Sequence, residues 1–316
     1  MKPSRRAFLQ QCASAMAGWF APGFPNGTTV TLQRDLNAII GEANMGIDVM
    51  RLLWNGTQLD EVYRIQHNAT QRFPSASCFK AWLTAYYYTF VPPTAWQDQP
   101  GTPLYQAIVN SNNTDTGTVL AQVGEFQRFG NAIQKFNDYL TTDLLLQHGI
   151  YTWAWEGNPV LGQLDERFAM TAERSVLVRG VPHQVANVTT AVDMLGGYYQ
   201  LLTRAHPADG SLRSQIATRA LRLLSIPSDD PAYASPIERV VGRGGYIGKD
   251  GTLPLGNLSA GTVLNDVGIL TDARGFTLVA FLSVGESQFT AQHALAQTLD
   301  RLRQYEDEKT IQWTTT

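Results

Sequence analysis

The stretch "RFPSASCFK", residues 72–80, decides how this chain is interpreted. It sets Ser77 three residues before Lys80, at the start of a predicted helix that continues through "AWLTAYYYTF". Residues three apart are neighbours on one helix face, so the hydroxyl lies beside an ammonium that favours its ionised form. A desolvated lysine can also act as a base. The pair has the chemistry of an activated nucleophile, although a capping serine followed by a solvated lysine gives the same pattern.

The composition restricts the kinds of partner. The chain has 316 residues, of which 44% are hydrophobic, enough to bury the core of one large domain or two interleaved lobes. Its net charge of −3 and its 16% of charged residues provide no basic surface for nucleic acid. The histidines show no metal-binding spacing, and the glycine-rich "GRGGYIGKDG" lacks the Lys-Ser/Thr ending of a phosphate loop. We therefore expect no metal, no cofactor and no nucleic acid, and a monomer that acts on a small partner.

The first residues have the features of an export signal. "SRRAFLQ", residues 4–10, matches the twin-arginine signature, and the small, weakly apolar stretch "CASAMAGWFAPG" follows it. We predict that residues 1–24 are a removable bacterial signal peptide and that the mature protein is periplasmic or secreted; a frayed basic N-terminus is the alternative. Lipidation at Cys12 is disfavoured because "LQQ" before it is a poor lipoprotein box. The mature chain would hold only Cys78 and could not form an internal disulfide.

Hydrophobic periodicity divides the remaining chain into strands at both ends and helices in the middle. An amphipathic helix and two strands occupy residues 28–68, and helical patterns extend from about 75 to 225. Three strand-like runs follow, "GGYIGKDGTL", "LNDVGILTD" and "FTLVAFLSV", before a closing amphipathic helix. We predict an α/β (α+β) fold in which one antiparallel sheet, built from both termini, is flanked by helices and carries an inserted all-helical lobe. The predicted domain is 25–316, with an α/β lobe at 25–75 and 225–316 and a helical lobe at 76–224.

Three segments in order resemble the motifs of the penicillin-recognising serine enzymes, the class A β-lactamases and the related D,D-peptidases. The family motifs are Ser-x-x-Lys, Ser-Asp-Asn and Lys-Thr-Gly, and "RFPSASCFK" resembles the first. Sixty residues after Ser77, "FNDYLTTDLLLQHG" resembles the second, with Asn137-Asp138-Tyr139 as its loop tripeptide. "YIGKDGTLPLG" resembles the third, and "AERSVLVRGVPHQVANVTTAVDM" resembles the omega-loop region with the start of the next helix. The resemblance covers about residues 30–305.

The resemblance implies a β-lactamase/transpeptidase-like fold and a role for each matching residue. Ser77 would attack the carbonyl with Lys80 as general base, and backbone N–H groups at Ser77 and on the strand after Lys249 would hold the oxyanion. The substrate-binding residues that the third segment implies are Lys249, Asp250, Gly251 and Thr252.

Several positions depart from the family pattern. Asn137 stands where the family's serine shuttles a proton, which an amide cannot do, while the phenol of Tyr139 is a candidate substitute. Asp250 replaces the usual threonine or serine, and its negative charge should weaken the binding of an acidic substrate. Counting back from "NVTT" places Glu173 near the family's deacylation glutamate, but Leu177 stands in place of the asparagine partner. A surface ion pair is the alternative role for Glu173.

We therefore expect a serine acyl-enzyme hydrolase that resembles the class A β-lactamases and hydrolyses the amide bond of β-lactams. One alternative is a slow penicillin-binding or D,D-peptidase-like enzyme with a peptidoglycan-like substrate. A second alternative is a catalytically impaired pseudoenzyme that acts as a binding module of the cell envelope. The altered second and third segments are the reason that both alternatives stay open.

Overall fold

The fold is described here from a computed structural model, which covers residues 28–55, 57–127, 132–151, 175–206, 209–242, 245–272 and 275–314. Residues 1–24, Cys12 and Glu173 lie outside this part of the chain, so the predictions made for them stay predictions. The helices are α1 Thr28–Ile40, α2 Lys80–Phe90, α3 Pro103–Ile108, α4 Asn113–Gln127, α5 Ala132–Thr142, α6 Ala191–Ala205, α7 Leu212–Leu224, α8 Pro236–Val241 and α9 Gln288–Thr314. The strands are β1 Met45–Trp54, β2 Leu59–His67, β3 Phe73–Pro74, β4 Ile150–Tyr151, β5 Ser175–Val178, β6 Val181–Gln184, β7 Asn187–Thr189, β8 Tyr246–Leu253, β9 Val263–Asp272 and β10 Gly275–Ser283. Within the described ranges, no helix is long and apolar enough to cross a membrane.

A five-stranded antiparallel sheet joins the two ends of the chain. Its strand order is β2-β1-β10-β9-β8, so the N-terminal hairpin meets the C-terminal strands where β1 pairs with β10. Val49 of β1 lies opposite Val279 of β10 in this pairing. Both strands are almost entirely buried, as expected for central strands covered on both faces. The predicted fold class, a sheet from both termini with an inserted helical lobe, is confirmed.

Each face of the sheet packs against a different set of helices. Side chains alternate between the faces of a strand, so Val49 belongs to one apolar cluster and the adjacent Met50 to the other. The first cluster also contains Leu32 of α1 and Leu295 of α9. The second, larger cluster contains the buried residues of α2 to α7 and forms the helical lobe. The sheet therefore separates the terminal helices from the lobe that begins after β3.

Helix α2 runs through the centre of the helical lobe. It is buried on nearly all sides, which is typical of a helix that is apolar all round. Trp82 and Tyr86 are fully buried, whereas Phe90 at the end of the helix is 38% exposed. The Trp82 indole packs edge-on against Tyr198 of α6, with 5.1 Å between ring centroids. Gly197 gives the indole room, since a Cβ there would lie 2.4 Å from Trp82 Cη2.

A Gly197→Ala variant should be less stable than the wild type. The added methyl group would force the Trp82 indole out of its position, and overpacking of this kind costs about 1–3 kcal/mol. Gly196→Ala is the matched control, because no described atom lies within 4 Å of its Cβ position and alanine favours a helix by roughly 0.5–1 kcal/mol over glycine. In urea unfolding, Gly197→Ala should have a lower free energy of unfolding than the wild type, and Gly196→Ala a higher one. Equal stability would contradict this packing of Trp82.

A buried carboxyl group lies under the last strands of the sheet, on the side of the terminal helices. Asp266 of β9 is fully buried and accepts a hydrogen bond of 2.6 Å from the Ile237 backbone N–H at the start of α8. It also accepts one from the Tyr246 hydroxyl of β8. Asp250 of β8 is its register partner. Burial, followed by the charge of Asp250, raises the pKa of Asp266 to about 7.

The stability of the fold should therefore depend on the protonation of Asp266. Its folded pKa of about 7 lies above the value of 3.8 for an unperturbed aspartate, so between these pH values the native state holds a proton that the unfolded chain releases. The free energy of unfolding should fall as the pH rises through this window, and Asp266→Asn should flatten that fall. Urea unfolding at a series of pH values measures this pH dependence of the free energy of unfolding. A slope that is unchanged in Asp266→Asn would show that another group is responsible.

Candidate active site

Ser77 lies in a short 3-10 turn, Ala76–Phe79, immediately before α2. The sequence placed it in the first turn of the helix, and the structure moves it one turn upstream. Strand β3 leads into this turn, and the buried Asn265 side chain fixes the entry by donating a 2.7 Å hydrogen bond to the Pro74 carbonyl. Ala76 adopts a left-handed conformation with φ of 46°, which costs a non-glycine residue roughly 1–2 kcal/mol. Ser77 is half-buried and faces a cavity of about 840 Å³.

Lys80 is fully buried and is held by a loop between α3 and α4. Its Nζ donates to the Ser111 carbonyl at 2.6 Å and to Asn113 Oδ1 at 2.7 Å, and the Ser111 hydroxyl lies 3.4 Å away. A buried ammonium requires such partners, because it has lost its hydration. Ser111 also has a positive φ, 55°, and the adjacent Asn112 caps α4 by accepting the Asp115 N–H. The loop therefore presents a hydroxyl and an amide at the cavity wall.

Asn137 and Tyr139 lie elsewhere, so their assignment as the second segment is wrong. They belong to α5, whose apolar face is buried in the lobe, and not to a loop. The Asn137 side chain donates to the Ile133 carbonyl of its own helix at 2.9 Å. Tyr139 packs against Tyr86 and Phe90, with ring centroids 5.3 and 5.8 Å apart. Burial raises the pKa of Tyr139 to about 12, which is unsuited to proton relay.

Ser111-Asn112-Asn113 occupies the place that the second segment was expected to fill. Its serine and its second asparagine match the family's Ser-Asn pattern two residues apart, so a signal was present in the sequence. This segment follows Ser77 after about half of the number of residues expected from the family spacing. Counting by that spacing therefore passed over it. With this segment, a serine hydroxyl stands where the sequence analysis placed an amide.

The third segment forms the opposite wall, on the edge strand β8. Lys249, Asp250, Gly251 and Thr252 all line the cavity, as does Ser77. Gly251 allows the closest approach, since a Cβ there would lie 2.6 Å from the Ser77 nitrogen and 3.0 Å from the Cys78 nitrogen. The backbone of β8 therefore runs directly against the turn that holds Ser77.

Lys249 and Asp250 form an ion pair inside the cavity. The Lys249 Nζ lies 2.7 Å from Asp250 Oδ1 and 3.1 Å from the Asp250 carbonyl oxygen. The positive charge of Lys249, a residue that the resemblance assigns to substrate binding, is thus partnered by the adjacent residue.

The region expected to resemble the omega loop contains a β-hairpin, β5 and β6. Leu177 lies in β5, is half-exposed and does not line the cavity with Ser77. Its carbonyl accepts a 2.8 Å hydrogen bond from the Asn44 side chain. Helix α6 follows with Thr190 as its N-cap, in agreement with the prediction from "NVTTAVDM".

Sequence reasoning missed the amide side chains that line much of the cavity. They come from four separate parts of the chain, and they are Asn110, Asn113, Asn187, Asn257, Gln288 and Gln292. Nothing local in the sequence marks them, because only the folded sheet and lobe bring them together.

The arrangement contains the parts that acyl transfer requires. Ser77 and Ser111 line the same cavity, the buried Lys80 hydrogen bonds to Ser111, and the backbone of a strand edge faces Ser77. Among the described residues, no group of His, Cys, Asp and Glu side chains is placed to hold a metal ion.

Comparison with known proteins shows a structural likeness without a detectable sequence match. No protein-family model matches the chain. No curated protein matches its sequence. The solved structure of a β-lactamase from Sphaerobacter thermophilus DSM 20745 is 18% identical, with a TM-score of 0.56 over 88% of this chain and 96% of that one. The TLA-3 extended-spectrum β-lactamase is 14% identical, with a TM-score of 0.60 over 88% and 99%.

A class A β-lactamase from Bacteroides cellulosilyticus DSM 14838 aligns to a similar extent. It is 12% identical, with a TM-score of 0.57, and the alignment covers 90% of this chain and all of that one (100%). These likenesses extend over the sheet and the helical lobe together. The chain has the fold of the class A β-lactamases.

Proposed function

We propose that this protein is a serine acyl-enzyme hydrolase with Ser77 as its nucleophile and that it opens the amide bond of β-lactams. The observation that carries the proposal is the buried Lys80, held by Ser111 and Asn113 at the wall of the cavity that Ser77 faces. Lys80 follows Ser77 by three residues, and its hydrogen bond to Ser111 connects it to the cavity that Ser77 faces, which makes it the candidate general base. The fold likeness to β-lactamases supports the same chemistry.

The reaction would proceed in two steps. In the first, Ser77 Oγ forms a bond with the lactam carbonyl carbon and Lys80 accepts the hydroxyl proton. The C–N bond then breaks, and the Ser111 hydroxyl, 3.4 Å from Lys80 Nζ, can pass that proton to the leaving nitrogen. Backbone N–H groups of the Ser77 turn and of β8 would stabilise the oxyanion. In the second step, water hydrolyses the ester; we keep Glu173 as the proposed base for that water.

Acylation should take place at Ser77 and should depend on the loop before α4. A fluorophosphonate or a penicillin should add one covalent mass that is absent from Ser77→Ala. Lys80→Ala should slow labelling by about a hundred- to ten-thousandfold, as for loss of a general base. Ser111→Ala should slow acylation by the penicillin, whose leaving nitrogen needs the proton. Intact-protein mass spectrometry measures each rate.

Asn137→Ala is the control for this experiment, since Asn137 hydrogen bonds within α5. Its labelling rate, corrected for the folded fraction, should equal that of the wild type. Labelling that persists in Ser77→Ala would refute the assignment of the nucleophile. A penicillin adduct that forms but turns over slowly would identify the penicillin-binding alternative, and a folded protein without any adduct would identify the binding module.

We also propose that the protein is exported to the periplasm or secreted through the twin-arginine signature at residues 4–10. Replacing Arg5 and Arg6 by lysine keeps the positive charge but removes the signature. The double variant should accumulate in the cytoplasm with residues 1–24 still attached. Cell fractionation with N-terminal sequencing measures this. Export of the double variant at the wild-type level would rule out the signal.

A further inference from the structure

Asp250 occupies the ammonium of Lys249, the positive charge that the third segment contributes to the cavity. Lys249 is only 6% exposed at its side chain, and Asp250, 28% exposed, supplies both of the oxygen atoms that accept hydrogen bonds from the Lys249 ammonium. A substrate carboxylate that approached Lys249 would meet the carboxylate of Asp250 at the same place. It would either lie beside a like charge or have to displace Asp250 from a close ion pair.

A second carboxyl group lies behind the first. Asp266 is fully buried on the neighbouring strand β9, and its Cα is paired with that of Asp250. Residues directly opposite each other on adjacent strands share one face of the sheet. Asp250 carries the negative charge beside Lys249, and Asp266 adds to it only above its pKa of about 7.

The rest of the cavity wall is dominated by uncharged groups. Among the described lining residues, Arg239 is the remaining charged side chain besides Lys249 and Asp250. Arg239 is exposed to solvent, and its guanidinium donates to the Ala234 carbonyl at 3.0 Å and to the Ala232 carbonyl at 2.9 Å. Six asparagine and glutamine side chains line the same cavity. Amides both donate and accept hydrogen bonds, so they suit neutral polar groups.

We propose that Asp250 is a specificity-determining residue that makes Ser77 react with uncharged acyl donors in preference to donors with a carboxylate beside the scissile bond. This inference rests on the proposed acylation of Ser77. Its substrate class is a neutral ester or amide with polar groups that the amide side chains can bind. Like-charge repulsion at a partly exposed site gives a preference on the order of tenfold. A cavity of about 840 Å³ is large enough for such a molecule.

The test compares two acyl donors that differ in the carboxylate alone. Benzylpenicillin and its methyl ester share the same lactam, ring and side chain, so the ratio of their acylation rates at Ser77 isolates the effect of charge. The wild type should react with the methyl ester on the order of ten times faster than with the free acid. Intact-protein mass spectrometry measures both rates. The comparison in the wild type needs no variant and does not depend on a variant's folding.

Variants then assign the preference to one residue. Asp250→Asn keeps the shape but removes the charge, and Asp250→Thr restores the family's hydroxyl; both should bring the ratio to about one, mainly through faster reaction with the free acid. Asp300→Asn is the control, because this exposed residue of α9 removes the same unit of negative charge from the protein. Its ratio should remain that of the wild type.

The possible failures are distinguishable. A fluorophosphonate has no carboxylate, so it reports the reactivity of Ser77 by itself. If it labels Ser77 while the wild type reacts at least as fast with benzylpenicillin as with the methyl ester, the inference is wrong and the proposed function stands. A ratio unchanged in Asp250→Asn also overturns the inference. If neither the fluorophosphonate nor either penicillin labels Ser77, both proposals fail.

Discussion

The rest of the candidate site depends on the compensation of one buried charge. Lys80 lies at the start of α2, while Ser111 and Asn113 belong to the loop that leads into α4. Leaving an ammonium buried without partners costs far more than one ordinary hydrogen bond, so the loop and the helix must stay together. Ser77 precedes Lys80 by one turn and lines the same cavity as Ser111 and Asn113. The burial of one ammonium thus ties the segment that contains Ser77 and Lys80 to the segment that contains Ser111 and Asn113.

The backbone on both sides of this charge is strained. Five non-glycine residues of the described chain have a positive φ, and two of them, Ala76 and Ser111, line the cavity. Such conformations persist only where the surrounding structure enforces them, and they concentrate at functional sites. At Ala76 the enforcing contacts are the β3 entry and the close approach of β8 at Gly251. Both strained residues lie in the cavity wall, and Ala76 directly precedes Ser77, so the strain lowers the stability of the fold at the cavity.

The sequence was a reliable guide where the information is local. Ser77 and Lys80 are close neighbours in the chain, and the four residues of the third segment share one strand, so their common placement could be predicted. The sheet could be predicted too, because each strand carries its own hydrophobic pattern. The contact between Lys80 and Ser111 is different, because it depends on the number of residues in α3 and its flanking loops. Family spacing placed the second segment at Asn137, and the local Ser-x-Asn pattern at Ser111 and Asn113 was passed over because it comes earlier in the chain than that spacing predicts.

The antiparallel pairing of β1 with β10 has a consequence for biogenesis. Ribosomal synthesis delivers β1 early, yet its partner β10 is the last of the described strands to be made. Until then a strand that is almost entirely buried in the folded protein has an open edge, and such edges associate with other chains. The helical lobe depends on contacts nearer in sequence, which form faster. The turn that holds Ser77 depends on Asn265 of β9 and on Gly251 of β8, so it can be completed only after these C-terminal strands have been made.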